Sequence, residues 1–365
     1  MTDGALLDAL DRLRGTGPEF HGFLANHGPM ASEALVRLGA ADQVGRWVSG
    51  YLPKLDDAPR VVRGIGAEDW PEHLGDVRLA GDWTAHLRQE AGAAGWQELL
   101  LRWWPRLLPG LAASATHGVI RTAHAVRSLR AAGDDPDPLL VDELAQGLAL
   151  WAARYERLPG DPRLSGPLPA VPAVAALPRL DPDVPADGDG ISGRLRVLPG
   201  LTGYAGSLDS WGPPADPDAA LDELIGAAAR VLAARSDAPI AFCHAVTAPA
   251  AVRMVLPELT PALRTASVAA SWQAVGGIVA AFASPRLPAE SDAAPTDPAA
   301  DPAADPAADP AGGARPADEL VGRAVEHGDE HVIKLTEAAL REHARTGDPT
   351  LLVAADRFRD RIPPG

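Results

Sequence analysis

Asp216-Pro217-Asp218-Ala219-Ala220-Leu221-Asp222-Glu223-Leu224-Ile225-Gly226-Ala227-Ala228-Ala229-Arg230-Val231-Leu232-Ala233-Ala234 is the stretch that decides the fold class. It opens with Asp-Pro-Asp, a helix-start pattern. Its apolar residues then fall at 221, 224, 225, 228, 231 and 232, one face of a helix. The same period recurs along the chain. It predicts helices over Gly4–Leu13, Met30–Leu38, Ala41–Leu52, Trp96–Leu107, Val119–Ala131 and Pro138–Leu158. After the anchor stretch it predicts them over Thr260–Ala283, Asp318–His327, Glu330–Thr346 and Pro349–Ile362. No run alternates at period two, and Leu195–Leu198 is an edge strand at most. The expected fold is all-α.

Two stretches break the period. Residues 159–215 are rich in Pro and Gly, and are expected to be a long irregular segment over the helical body, a candidate pocket lid. Residues 285–316 contain the repeat Asp297-Pro298-Ala299-Ala300, Asp301 to Ala304, Asp305 to Ala308. A proline every fourth residue forbids a helix, and such a segment buries little apolar area. It is expected to be a disordered insertion within one large domain spanning 1–365.

Composition narrows the function. The net charge is −16, which argues against nucleic acid or an anionic membrane as partner. The single cysteine, Cys243, excludes a disulfide framework and a Cys-based zinc site within the chain. Met1-Thr2-Asp3-Gly4 lacks the basic and apolar regions of a signal peptide, so a cytoplasmic location is expected. Ala266–Ala283 is apolar, but it holds Ser271, Gln273 and two glycines and reads as a core helix rather than a membrane span. There is no Walker A loop, no dinucleotide-binding glycine fingerprint and no Gly-x-Ser-x-Gly elbow.

The chemistry lies in histidines. Five of the ten sit in apolar or small-residue settings: Asn26-His27-Gly28-Pro29-Met30, His117-Gly118 through His124, Cys243-His244-Ala245, and Asp329-Glu330-His331 with Lys334. Neutral imidazole is the commonest metal ligand, and distant histidines can converge inside a helical protein. His117 and His124 are two turns apart on one helix face, about 10 Å along the axis. Both cannot bind one ion directly, and the spacing leaves open which one does. His331 and Lys334 share a face. A buried lysine loses solvation and its pKa falls, which allows a neutral amine to combine with carbon dioxide. His327-Gly328-Asp329-Glu330-His331 also matches the inverted zinc-protease pattern. Gly328 and the short remaining chain argue against that match.

Taken in order, these segments resemble the questin oxidase family: Asn26 to Ala31, His117-Gly118 through His124-Ala125, His244 to Pro249, and Asp329 to Lys334. Members open the central ring of fungal anthraquinones such as questin. The resemblance implies a non-haem Fe(II) oxygenase with ligands His27, His117, His244, His331 and Lys334 as a carbon-dioxide-derived carbamate, with His124 the alternative to His117. It implies dioxygen and an aromatic small molecule as reactants, and NADPH as an electron donor in some relatives. His124 and Arg121 are then the candidate catalytic pair, and Trp103, Trp104, Tyr204, Trp211 and Trp272 the candidates for stacking a flat substrate. The acidic balance and the Asp-Pro-Ala-Ala insertion depart from the family. Two other classes stay open: a metal-dependent hydrolase using the same histidines, and a metal-free helical binding protein. The oligomeric state is not legible.

Overall fold

Capping chemistry sets many of the boundaries. The side chains of Asp137, Asp216, Thr260 and Asp329 each accept from a backbone N–H at the start of a helix, and the first three are followed by Pro. In this computed structural model, which describes residues 4–283 and 315–365, the chain is all-α. The helices of the first half are α1 (Gly4–Leu13), α2 (Gly28–Arg37), α3 (Ala41–Tyr51), α4 (Ala80–Ala94), α5 (Trp96–Leu107), α6 (His117–Ala132) and α7 (Pro138–Ala153). Three short helices follow: α8 (Ala170–Ala176), α9 (Gly190–Leu195) and α10 (Tyr204–Ser207). The second half holds α11 (Pro217–Ala234), α12 (Pro239–Val255), α13 (Pro261–Phe282), α14 (Ala317–His327), α15 (Glu330–Thr346) and α16 (Thr350–Arg359).

Helices α6, α7, α11, α12, α13 and α15 form the centre, and one buried apolar cluster runs from Leu6 to Phe358. Small residues set the closest approaches. A Cβ at Gly118 would lie 2.6 Å from Trp151, and one at Gly147 would lie 2.9 Å from the Thr122 nitrogen. These two glycines let α6 and α7 pack almost backbone to backbone.

The sequence reading fails in identifiable places. The only strands among the described residues are Glu19–Phe20 and Leu24–Ala25, an antiparallel pair whose tip bears His21 and Gly22 at positive φ. Leu195–Leu198 is no edge strand: α9 ends at Leu195, and a 3-10 turn covers Leu198–Gly200. Helices α4 and α12 were not expected. In α12, Pro239 and Pro249 suppress the helix signal, and burial from Ala241 to Val255 leaves no amphipathic stripe. Helix α7 stops at Ala153 rather than Leu158. The helix through Pro239–Glu258 and α13 are long and apolar enough to cross a membrane, but most of each is buried in the fold. Of the segment 285–316, all but Arg315 and Pro316 lies outside the described residues. Arg315 is bound by Asp356 at 2.9 Å.

Candidate metal centre

Three of the four histidine segments deliver their ring at the start of a helix. His27 is the N-cap of α2, with Pro29 in the first turn. Buried Asn26 builds this entry: its Oδ1 accepts from Gly28 N at 2.9 Å, and its Nδ2 donates to Thr16 Oγ1 and Gly17 O at 2.9 Å. A Cβ at Gly28 would press on the methyl ends of Leu13 at 2.7 and 2.8 Å and on Asn26 Oδ1 at 3.0 Å. The His27 amide donates to Tyr51 Oη at 3.0 Å.

His117 opens α6 after an unusual turn. Ser114, Ala115 and Thr116 have φ of 50°, 53° and 72°, three consecutive non-glycine residues in the left-handed region. Each is disfavoured by roughly 1–2 kcal/mol. Strain of this kind persists only where the surroundings hold it. Its effect is to bring the Ser114 carbonyl onto His117 Nδ1 at 2.5 Å, where Nδ1–H donates. The Thr116 hydroxyl shares a hydrogen bond with His244 Nδ1 at 3.1 Å. One turn thus engages the Nδ1 of two histidines and leaves the Nε2 of each to other partners.

His331 lies in the first turn of α15, where Asp329 accepts from the amides of His331 and Val332 at 2.9 and 3.2 Å. Lys334 is one turn further on and 2% exposed.

The four rings meet. His27 Nε2 and His117 Nε2 are 2.8 Å apart. Ring centroids are 4.5 Å apart for His27–His331 and His117–His244, and 5.7 Å for His244–His331. One nitrogen each from His27, His117 and His331 lies within 4.8 Å of the others. Imidazoles adjacent on one ion at 2.0–2.1 Å have nitrogens about 3 Å apart, so His27, His117 and His331 fit one metal, while His244, its ring 4.5 Å from that of His117, lies beside this group of three rather than within it. The buried His244 Nε2 and Lys334 Nζ have no hydrogen-bond partner among the described residues, as expected of groups prepared for an ion or an added group, while His27 Nδ1 and His331 Nδ1 face the carboxylates of Glu330 and Asp329 at 3.8 and 3.5 Å. Burial pushes the pKa of His27, His117 and His244 well below the ordinary value, and the Lys334 charge adds to this. The positive ends of three helices act in the same direction. These three imidazoles are therefore neutral, the form that binds metals. Burial pushes Lys334 down to about 8.

His27, His117, His244 and His331 also line a cavity of about 450 Å³. Phe20, Phe23, Leu24, Ile191 and Ile240 give it an apolar side, and Glu19, Arg154, Glu156 and Arg196 a charged one. Gly188 to Ser192 and Arg196, from the irregular middle segment, form part of its wall.

The other candidates sit elsewhere. His124 faces away from the cluster: its Nδ1 donates to Glu33 at 2.8 Å, and it does not line the cavity. The helix register that aims His117 inward carries His124 two turns along α6. Arg121 is buried in a two-pronged pair with Glu143, at 2.6 and 2.7 Å, so its guanidinium is committed to joining α6 to α7. None of the five aromatic candidates lines the cavity. Trp103 donates to Glu90, Trp104 to Ser267, Trp211 to Glu223, Trp272 to the Leu208 carbonyl and Tyr204 to the Gln273 carbonyl. They are core residues, because a large ring with one polar atom packs well wherever that atom finds a partner. His327 Nε2–H donates to the Ile362 carbonyl at 2.9 Å, and Gly328 at φ 77° separates it from α15, so the protease-like pattern is not one helix face. Glu19, Ser114, Thr116 and Glu330 were missed. Only Glu330 had a sequence signal, its place beside His331.

No curated protein matches the chain. A family model described as questin oxidase-like matches residues 25–339, a span that includes all four clustered histidines and Lys334. The chain therefore belongs to the questin oxidase-like family, and is an oxidoreductase with an aromatic small molecule as its substrate.

Proposed function

We propose that the chain is a non-haem iron oxygenase that uses dioxygen to cleave or oxidise a ring C–C bond of an anthraquinone-like polyketide. The observation that carries this reading is the meeting of four imidazoles from four helices in the wall of one cavity, with free nitrogens and a buried, partnerless lysine beside them. His27, His117, His244 and His331 would hold the ion. Ferrous iron supplies one-electron chemistry toward dioxygen. The rest falls to the chain. Ser114 O and Thr116 Oγ1 fix two ring orientations. Lys334, with its lowered pKa, combines with carbon dioxide, forming an N–C bond and releasing a proton. The resulting carbamate is an anionic oxygen ligand, favoured by three converging helix N-termini. Phe20, Phe23 and Ile240 offer an apolar surface to a flat ring system and exclude water from it. A hydroquinone-like substrate supplies electrons, with NADPH as the two-electron reductant that would form it from the quinone.

The test is metal analysis of protein purified without a chelating column, followed by anaerobic ferrous loading and oxygen-uptake measurement with a reduced hydroxyanthraquinone. One iron per chain and substrate-dependent uptake are expected. His244→Ala should abolish both. Lys334→Ala should weaken iron binding with the fold intact, Lys334→Glu should restore part of it, and bicarbonate should restore acid-treated wild type. Tight zinc or manganese without oxygen uptake would replace this reading with a hydrolase. No metal binding at all would leave a helical binding protein.

A further inference from the structure

The strained turn before His117 needs something to hold it. Ser, Ala and Thr all disfavour left-handed backbone, and a free segment would relax. Its outward attachment is to Glu19: Ser114 Oγ donates to Glu19 Oε1 at 3.2 Å. The Glu19 side chain is 8% exposed, so water contributes little to neutralising its charge. Arg154 does so instead, with Nε 2.9 Å from both carboxylate oxygens and Nη2 2.5 Å from Oε2. Arg154 is the residue at which α7 ends, and α7 is seated against α6 through Gly118 and Trp151. The circuit closes: α6, its entry turn, Glu19, Arg154, α7, and α6 again.

We propose that Glu19, clamped by Arg154, is a positioning residue for the histidine cluster: through Ser114 it holds the left-handed turn that fixes the rotation and tautomer of His117 and aims Thr116 at His244. Glu19 also begins the strand pair whose Phe20 and Leu24 line the cavity, so one carboxylate ties the cavity wall to two of the four rings. The metal consequence rests on the reading of the cluster as an iron site, whereas the tautomer consequence does not.

The experiment compares wild type with Glu19→Gln and Glu19→Ala by two readouts. In metal-free protein with ¹⁵N-labelled histidine, long-range nitrogen spectra should show wild-type His117 in the Nδ1–H form alone, and a mixture of tautomers in Glu19→Ala. In a cobalt(II) titration, both variants should bind about tenfold to a hundredfold more weakly, the range seen when support behind a metal ligand is removed. Their ligand-field bands should also shift. A folded Glu19→Ala with unchanged His117 nitrogen shifts and unchanged cobalt affinity overturns the proposal. So does a fall in melting temperature alone, which would reduce Glu19 to a staple for the strand pair. If Glu19→Ala does not fold, Ser114→Ala decides by the same readouts, because it removes only the hydroxyl link. If wild type binds no cobalt, the metal reading fails and the nitrogen spectra still decide the role of Glu19.

Discussion

At the scale of single residues, surroundings rather than residue type separate the site from the scaffold. His117 and His124 share a helix, and burial depresses both pKa values. One ring meets three other imidazoles, while the other is occupied by Glu33. The left-handed turn is the residue-scale feature with the clearest energetic consequence. Ala115→Gly removes the Cβ that makes φ +53° unfavourable, so stability should hold or rise despite the looser unfolded chain. Ala115→Val places a β-branched side chain there and should cost about 2 kcal/mol or more. Chemical denaturation of the two variants checks the ordering. Equal stabilities would mean that the turn is not held left-handed in solution.

At the scale of elements, the helices that carry His27, His117 and His331 are joined by a buried ionic network. Arg127 on α6 reaches Glu33 on α2 with Nε at 2.9 Å and also with Nη2, and Glu337 on α15 with Nη1 at 2.5 Å. Both carboxylates are almost fully buried. The pKa of Glu33 lies well below its ordinary value because Arg127 and the His124 hydrogen bond outweigh the burial that opposes them. The sign follows. A carboxylate depressed in the fold adds stability that is present above its unfolded value, near 4.5, and is lost as pH falls toward the folded one. Glu33→Gln leaves Arg127 with a buried, poorly compensated charge and should destabilise by about 3–5 kcal/mol at pH 7. The gap between the variant and wild type should narrow progressively as pH falls below about 4.5. A difference independent of pH, measured by denaturation across that range, would remove the ionic account.

At the scale of the whole molecule, the site draws on positions from 27 to 334, so the chain after the Asp-Pro-Ala-Ala repeat is as necessary as the chain before it. Residues 290–312 hold no large apolar side chain that could build a core, and their deletion should change neither melting temperature nor metal content. The deletion must stop before Arg315, which bonds Asp356 and Glu319 and so anchors the start of α14. Calorimetry and metal analysis of the deletion check this. A large loss of either would make the repeat structural.

Local rules determined much of this protein. Apolar period and capping residues placed most helices, because those signals act over a few residues. Asn26, His27 and Gly28 were legible as a motif, since the Asn26 side chain accepts from the Gly28 amide only two residues on. Helix α12 was not, because a helix buried on every side has no stripe to read and its two prolines argue the other way. Only the tertiary structure decided that His117 rather than His124 joins the cluster, that the tryptophans belong to the core, and that Glu19 and Arg154 stand behind the histidines. Those outcomes depend on contacts between residues far apart in the chain, such as Trp104 with Ser267 and His27 with His331. Spacing along one helix fixes which side chains share a face. Which neighbour that face meets is set by packing across the whole chain.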